Sequence, residues 1–103
     1  MVRYLVLYAT PEDPDAFERH YRESHIPLIK VPPGLRRFAF GHSPTPGRGE
    51  PYFWVASLEW DDMAALRAAF TSPEGEAATR DVENLTKPDM LRSMIFEFEE
   101  VIH

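Results

Sequence analysis

The chain has 103 residues, enough for one hydrophobic core and one domain, residues 1–103, but too few for two. Hydrophobic residues make up 44% of the sequence and charged residues 27%, which is usual for a globular protein. The net charge of −6 argues against nucleic acid as a partner, because phosphate groups are bound by clustered basic side chains. Without cysteine, the chain can form no disulfide and no thiolate metal site.

The apolar start of the chain, residues 2–9, predicts the first strand because it is rich in β-branched and aromatic residues. It contains Arg3 and is too short to span a membrane. It also lacks the layout of a secretory signal, in which a charged segment precedes a longer apolar one and a cleavage site of small residues. We therefore expect no membrane partner and a cytoplasmic location.

The first helix is predicted to begin at Asp13, because aspartate is a favourable N-cap and Pro14 suits the first helical position. Pro27 disfavours helical geometry at the preceding residue, so the regular helix is expected to end or kink at Ile26. Spacings of three and four residues place one set of side chains on a common face: Phe17, Tyr21, Ser24, His25 and Leu28.

The middle of the chain predicts two strands and two helices. Strands are expected over residues 35–42 and 52–60, separated by a loop rich in proline and glycine. Asp61 is expected to cap the next helix, and Ser72 with Pro73 to start another, short one.

The last strand is predicted over residues 94–102. The order of elements is then β-α-β-β-α-β with one extra short helix before the last strand. This order is the ferredoxin-like plan of the α+β class, a four-stranded antiparallel sheet with its helices on one face.

The predicted strands are apolar on both faces, although helices can cover only one of them. In the first strand, Tyr4, Val6 and Tyr8 alternate with Leu5 and Leu7. An uncovered apolar sheet face would be larger than monomers usually expose, so we expect two copies to pair sheet against sheet as a homodimer. The alternative is that the strand tyrosines tolerate solvent. The pattern does not say which face lines a cavity and which meets the partner.

His25 is the leading candidate for chemistry. Its imidazole titrates near neutral pH at the predicted end of a helix, where the dipole favours the cation, so it could act as a general acid or base. Tyr21, one turn earlier, could orient a ligand. The alternative is a half-buried histidine that caps helix carbonyl groups or bonds a neighbouring strand, and the spacing alone favours this alternative.

Aromatic side chains of the middle strands could complete an apolar cavity for a small hydrophobic molecule. The predicted substrate-binding residues are Phe38, Phe40, Tyr52 and Trp54. Plain core packing is the alternative for all four.

The sequence predicts no metal site and no cofactor. His20 and His25 are five residues apart, and we expect them to lie on different faces of the helix. With His42 on a distant strand, they form no recognisable metal-ligand spacing.

Four features together resemble the EthD-like family of the dimeric α+β barrel superfamily, and the similarity spans almost the whole chain. One departure is Tyr21, where many relatives carry tryptophan. The four features are the segment from Phe17 to Tyr21 leading into His25-Ile26-Pro27-Leu28, the run Pro33-Gly34-Leu35-Arg36-Arg37, the strand end Glu59-Trp60-Asp61, and Ser72-Pro73-Glu74-Gly75 with Asp81 downstream.

The resemblance implies a ferredoxin-like subunit that pairs into a dimeric α+β barrel, with a ligand cavity between helices and sheet near His25. It also implies chemistry on a small hydrophobic or aromatic, oxygenated compound, by a lyase, an isomerase or a cofactor-free oxygenase. Under this hypothesis His25 is the acid or base and Tyr21 positions the ligand. The alternative is a non-catalytic accessory or binding protein of a degradation pathway, and haem binding is a weaker third hypothesis.

Overall fold

The computed structural model of the chain describes residues 1–102. Its centre is a four-stranded antiparallel sheet with the strand order β2-β3-β1-β4. This order confirms the predicted ferredoxin-like plan. The strands are β1 (Val2–Tyr8), β2 (Arg37–His42), β3 (Trp54–Trp60) and β4 (Leu91–Glu97).

The helical segments lie between β1 and β2 and between β3 and β4. Within residues 1–102, none of them is long and apolar enough to cross a bilayer. The α-helices are α1 (Pro14–His20), α2 (Ile26–Ile29), α3 (Met63–Thr71) and α4 (Pro73–Asp81). A π-helical turn, Tyr21–His25, joins α1 to α2, and short 3-10 turns, Val82–Asn84 and Pro88–Met90, lead from α4 to β4.

One face of the sheet forms the core together with the helices. The strand register places Val6 of β1 opposite Ala56 of β3, and Tyr8 opposite Trp54. These side chains are buried on the helix side, whereas Leu5 and its neighbours on the alternate positions face the other way. The buried members of the core are Val2, Val6, Tyr8, Trp54, Ala56, Leu58 and Trp60 from the sheet, and Phe17, Tyr21, Ile29, Leu66, Ala69 and Leu85 from the helical side.

The predicted bounds of the last strand are wrong. β4 begins at Leu91 rather than residue 94, and it ends at Glu97 rather than residue 102. Pairing with β1 sets both ends, because Leu91 lies opposite Tyr8 and Glu97 opposite Val2. β2 and β3 likewise begin two residues later than predicted, at Arg37 and Trp54.

The N-cap of α3 is Asp62 rather than the predicted Asp61. The Asp62 carboxylate accepts a hydrogen bond of 2.8 Å from the backbone N–H of Ala65. Asp61 instead pairs with the guanidinium of Arg36 on the surface, at 2.8 Å and 3.1 Å. A helix has one N-cap position, and Asp62 occupies it, so the carboxylate of Asp61 is available for the salt bridge.

The helices α3 and α4 approach each other closely at Gly75. Ser72 caps α4 as predicted, because its hydroxyl accepts a 3.0 Å hydrogen bond from the N–H of Gly75. A Cβ atom on Gly75 would lie 1.9 Å from the carbonyl oxygen of Ala69. Only glycine therefore fits where α4 begins against the end of α3.

Gly75→Ala is expected to destabilise the protein by about 1–3 kcal/mol, the usual cost of an added group that forces the backbone apart. Urea unfolding at fixed pH measures this difference. Gly47→Ala is the control, because its Cβ would meet no atom within 4 Å. The control should stay within about 1 kcal/mol of the parent, and equal stability of both variants would contradict the close approach.

Candidate functional site

A widened helical turn carries both predicted catalytic residues. From Tyr21 to His25 the backbone is π-helical, and the N–H of Ile26 bonds the carbonyl group of Tyr21. The chain then continues as α-helix through Pro27 to Ile29. The sequence predicted that the helix ends or kinks at Ile26. The irregular turn instead lies before Ile26, and the helix continues beyond it.

This turn brings two histidines to one carboxylate, that of Asp81 at the end of α4. His25 Nδ1 lies 2.8 Å from Asp81 Oδ2, and His20 Nε2 lies 2.9 Å and 3.0 Å from the two carboxylate oxygens. Asn84 donates a further hydrogen bond of 3.0 Å. The prediction that His20 and His25 lie on different faces is wrong, because a π turn is wider than an α turn and brings positions five apart to the same side.

The cluster leads from the surface to the interior. The side chains of His20, Asp81 and His25 are 30%, 11% and 4% exposed. Among residues 1–102, no group of three or more histidine, aspartate or glutamate side chains is arranged to hold a metal ion. The three side chains are thus a hydrogen-bonded cluster with one buried end.

The environment keeps His25 neutral at pH 7. Burial lowers the pKa of His25, and the hydrogen bond and charge of Asp81 oppose this effect only in part. Burial acts to raise the pKa of Asp81, but hydrogen bonds from Asn84, His20 and His25 outweigh it and lower that pKa. Because an ionised carboxylate only accepts hydrogen bonds, Nδ1 of His25 is the donor. The lone pair is then on Nε2, which can accept a proton.

His25 lies in the wall of a cavity of about 170 Å³ between the sheet and the helices. An apolar cavity of about 150 Å³ is large enough for benzene, so this one has room for a single ring. Its wall is mostly apolar. The aromatic members are Tyr4, Tyr8, Tyr21, Trp60 and Phe70, and the small residues Gly75 and Ala78 of α4 lie in the same wall.

The buried tyrosines of the cavity are neutral. Burial raises the pKa of Tyr21 to about 12, and burial also raises the pKa of Tyr8. The Tyr21 hydroxyl and the indole N–H of Trp54 are both buried without a hydrogen bond of regular geometry. The neighbouring indole N–H of Trp54 acts to lower the pKa of Tyr21, but the effect of burial is larger.

The four predicted substrate-binding residues are not among those that line this cavity. Trp54 is completely buried, and its ring centre lies 5.3 Å from that of Phe40 and 4.9 Å from that of Tyr21. Phe38 lies beside Phe40, and Tyr52 precedes β3. Trp54 and Phe40 therefore support the ring of Tyr21, and contact of the four residues with a ligand stays a prediction.

Sequence reasoning missed Asp81 as the partner of His25. The two residues are 56 positions apart, and no periodicity within α1 or α4 says how the helices face each other. The only signal was the place of Asp81 in the family resemblance. The cavity residues Tyr4 and Tyr8 were missed as well, because the apolar pattern of β1 did not show which face points to the helices.

A family model, a curated protein and a solved structure are similar to this chain over most of its length. The family model of the EthD domain matches residues 9–89. An uncharacterized 11.0 kDa protein from the thcB-thcC intergenic region of Rhodococcus erythropolis is 35% identical, over 99% of this chain and 98% of that protein. The crystal structure of an EthD family protein from Bacillus halodurans is 31% identical with a TM-score of 0.86, covering 96% of this chain and 99% of that one.

More distant structures share the fold. A dimeric ferredoxin-like protein of unknown function from Thermobifida fusca is 20% identical with a TM-score of 0.71, over 94% of this chain and 90% of that one. SnoaB, a cofactor-independent oxygenase from Streptomyces nogalater, is 17% identical with a TM-score of 0.65, over 98% of this chain and 95% of that one. At these identities the likeness concerns the fold alone.

The cluster predicts the pKa of His25 in three proteins. In the parent it should lie below the ordinary value of 6.5. Asp81→Asn should lower it further, because the carboxylate favours the imidazolium, and His20→Asn should raise it, because the electrostatic effect of His20 lowers the pKa of His25. Histidine NMR titrations measure all three values, and a parent pKa above 6.5 would contradict the argument.

Proposed function

The chain belongs to the EthD domain family, and on this premise we propose that it is a cytoplasmic small-molecule enzyme in which His25 removes a proton from a hydrophobic, oxygenated compound. One observation carries the proposal. A buried, neutral imidazole bonds Asp81 through Nδ1 at 2.8 Å and lies in the wall of a cavity of ligand size. A carboxylate that holds the far nitrogen of a histidine is a common arrangement for a general base.

The cluster suits the transfer of one proton. Nε2 of His25 accepts the proton of a C–H or O–H group on the ligand, and the electron pair stays on the ligand as an enolate or a phenolate. The imidazolium that forms is stabilised by the charge of Asp81, and this attraction is stronger in an apolar cavity than in water. His20 and Asn84 hold the carboxylate in place from its other side.

Lyase, isomerase and cofactor-free oxygenase reactions can share this first step. An isomerase returns the proton to a different atom, and a lyase breaks a bond to a leaving group with the electron pair of the anion. An oxygenase passes electrons from the anion to dioxygen, which is then a co-substrate. That SnoaB, a cofactor-independent oxygenase, has this fold is compatible with the third reaction.

Tyr21 is proposed to position the ligand. Its ring centre lies 5.2 Å from that of His25, in the wall of the same cavity. The hydroxyl is neutral and buried without a partner. Since buried hydroxyl groups are normally hydrogen-bonded, a ligand oxygen is a suitable acceptor for it.

The cavity favours a compact ligand. A volume of about 170 Å³ holds one ring with small substituents and not the four-pyrrole macrocycle of haem. A binding protein without turnover could use the same cavity, and the experiment that follows separates it from an enzyme by the appearance of product.

His25→Asn is expected to reduce turnover by a factor of about 10²–10⁴, because general base assistance has this magnitude. One-ring hydroxylactones, hydroquinones and cyclic ketones serve as substrates, with products followed by mass spectrometry under air and C–H exchange by NMR in D₂O. His42→Asn is the matched control, because His42 is exposed on β2 and does not line the cavity. The activity of the parent should fall as the pH is lowered through the His25 pKa, which lies below 6.5, since the imidazolium cannot accept a proton.

Thermal melts of the same variants separate catalysis from folding. A lowered melting temperature of His25→Asn with activity retained would show that His25 is a structural residue. Stoichiometric binding by the parent, with neither product nor C–H exchange, would identify an accessory binding protein.

We also propose a homodimer through the sheet face that has no helices, here called the open face. Its apolar members are Leu5 and Leu7 of β1, Val55 of β3, and Met94 and Phe96 of β4. The similar fold from Thermobifida fusca is dimeric, which supports this arrangement. Stable pairs usually bury about 800 Å² per subunit, and one face of a four-stranded sheet is a suitable surface for this.

Met94→Lys is expected to dissociate the dimer, because it would bury an unpaired charge in the interface. Ile95→Lys is the matched control. The two side chains are adjacent on β4 and similarly exposed, at 48% and 43%, but point to opposite faces of the sheet. Sedimentation at micromolar concentration should give twice the 11.9 kDa chain mass for the parent and the control. A monomeric parent would overturn the proposal.

A further inference from the structure

The wall of the cavity contains no permanent charge. Its titratable side chains are those of His25, Tyr4, Tyr8 and Tyr21, and no lysine, arginine, aspartate or glutamate of residues 1–102 lines it. Tyrosine is neutral at pH 7, and the neutral imidazole of His25 has been derived above. An ionised ligand in this cavity would lose its hydration and gain no opposite charge, which is costly in an apolar environment.

The carboxylate behind His25 disfavours anions further, and its oxygens are already occupied by hydrogen-bond donors of the protein. Asp81 bonds Nδ1 of His25 at 2.8 Å, so its negative charge lies one imidazole ring away from the cavity. Its two oxygens already accept hydrogen bonds from His25, His20 and Asn84. A ligand ammonium group would have to displace one of these donors to reach the carboxylate.

The hydrogen-bonding groups that remain free in the wall are uncharged. Nε2 of His25 is an acceptor, and the hydroxyl of Tyr21, which also belongs to the wall, is buried without a hydrogen-bond partner. The hydroxyl of Thr79, which also lines the cavity, is already used in a 2.9 Å bond to the carbonyl group of Gly75. A ligand without a donor would leave Nε2 of His25 buried and unpaired.

The volume and the aromatic wall of the cavity suit one ring. Phe70 meets Tyr4 and Trp60 edge to face, at 5.2 Å and 5.8 Å between ring centres, and all three line the wall. On the side of α4 the wall is made of small residues, Gly75 and Ala78, which leave the room that the rings do not fill.

We propose that the ligand of this cavity is an uncharged one-ring phenol or enol, which donates a hydrogen bond from its hydroxyl group to Nε2 of His25. The proposal rests on the function proposed above, because it names the substrate class of the same site. It excludes ring compounds of the same size that carry a carboxylate or an ammonium group.

Four probes of nearly equal size test the proposal on the full chain: 4-methylphenol, p-xylene, benzoate and benzylammonium. Calorimetric or NMR titrations at pH 7.5 give the dissociation constants. We expect 4-methylphenol to bind about tenfold tighter than p-xylene, or more, because p-xylene leaves the buried imidazole without a donor. Benzoate and benzylammonium should bind at least about tenfold more weakly than 4-methylphenol.

Variants connect this preference to His25. In His25→Asn the advantage of 4-methylphenol over p-xylene should fall to about twofold or less, whereas His42→Asn, at an exposed position of β2 outside the cavity wall, should retain it. The ratios among the four probes in the parent protein remain a test even if a variant does not fold. Equal binding of 4-methylphenol and p-xylene by the parent, tighter binding of benzoate or benzylammonium, or binding of none of the four at millimolar concentration would overturn the proposal.

The two proposals fail in different ways. If 4-methylphenol is preferred through His25 but no product or C–H exchange is found with any phenol or enol, the proposed ligand class is supported and the proposed enzymatic function is wrong. If His25-dependent turnover is found only with a carboxylate or an ammonium compound, the proposed enzymatic function is supported and the proposed ligand class is wrong.

Discussion

The carboxylate of Asp81 is the group on which the arrangement of the site depends. It joins the end of α4 to the π turn through His25 and to the end of α1 through His20, and hydrogen bonds to a charged group contribute about 1.5–3 kcal/mol each. The same bonds fix the tautomer of His25 and hold its ring in the cavity wall. Without this carboxylate, a nearly completely buried imidazole would have no partner for Nδ1. Packing of the two helices and the chemistry of the cavity thus rely on the same few atoms.

The π turn explains how one helix can supply both histidines. In a regular α-helix of 3.6 residues per turn, positions five apart point in different directions. Pro27 lacks the N–H that a continuous helix would use, so an interruption just before it costs less than elsewhere. The helix then resumes with Pro27 in its first turn, where proline is well tolerated. In the sequence, Pro27 predicts the end of a helix. In the structure it lies at the start of the next helical segment.

Local signals in the sequence predicted the elements, and non-local contacts decided the rest. The caps at Asp13 and Ser72 and the order of elements along the chain followed from cap and turn residues and from strand composition. The bounds of β4 failed because its partner β1, and not its own residues, sets them. His25 was found by its position near a helix end, but its partner Asp81 comes from a helix far along the chain. The sequence also could not show that Trp54 packs behind Tyr21, since an aromatic residue on the correct sheet face can still lie behind another ring.

The position of β1 in the sheet has a consequence for the cavity. Tyr4 and Tyr8 face the cavity, and Leu5 and Leu7 lie on the opposite side of the same strand. A slip of β1 by one residue would exchange these two sets and fill the cavity with leucine. β1 is central and paired along its whole length with both β3 and β4, so a slip would have to break two ladders at once. Strand register, together with side-chain packing, therefore keeps Tyr4 and Tyr8 of β1 on the cavity side of the sheet.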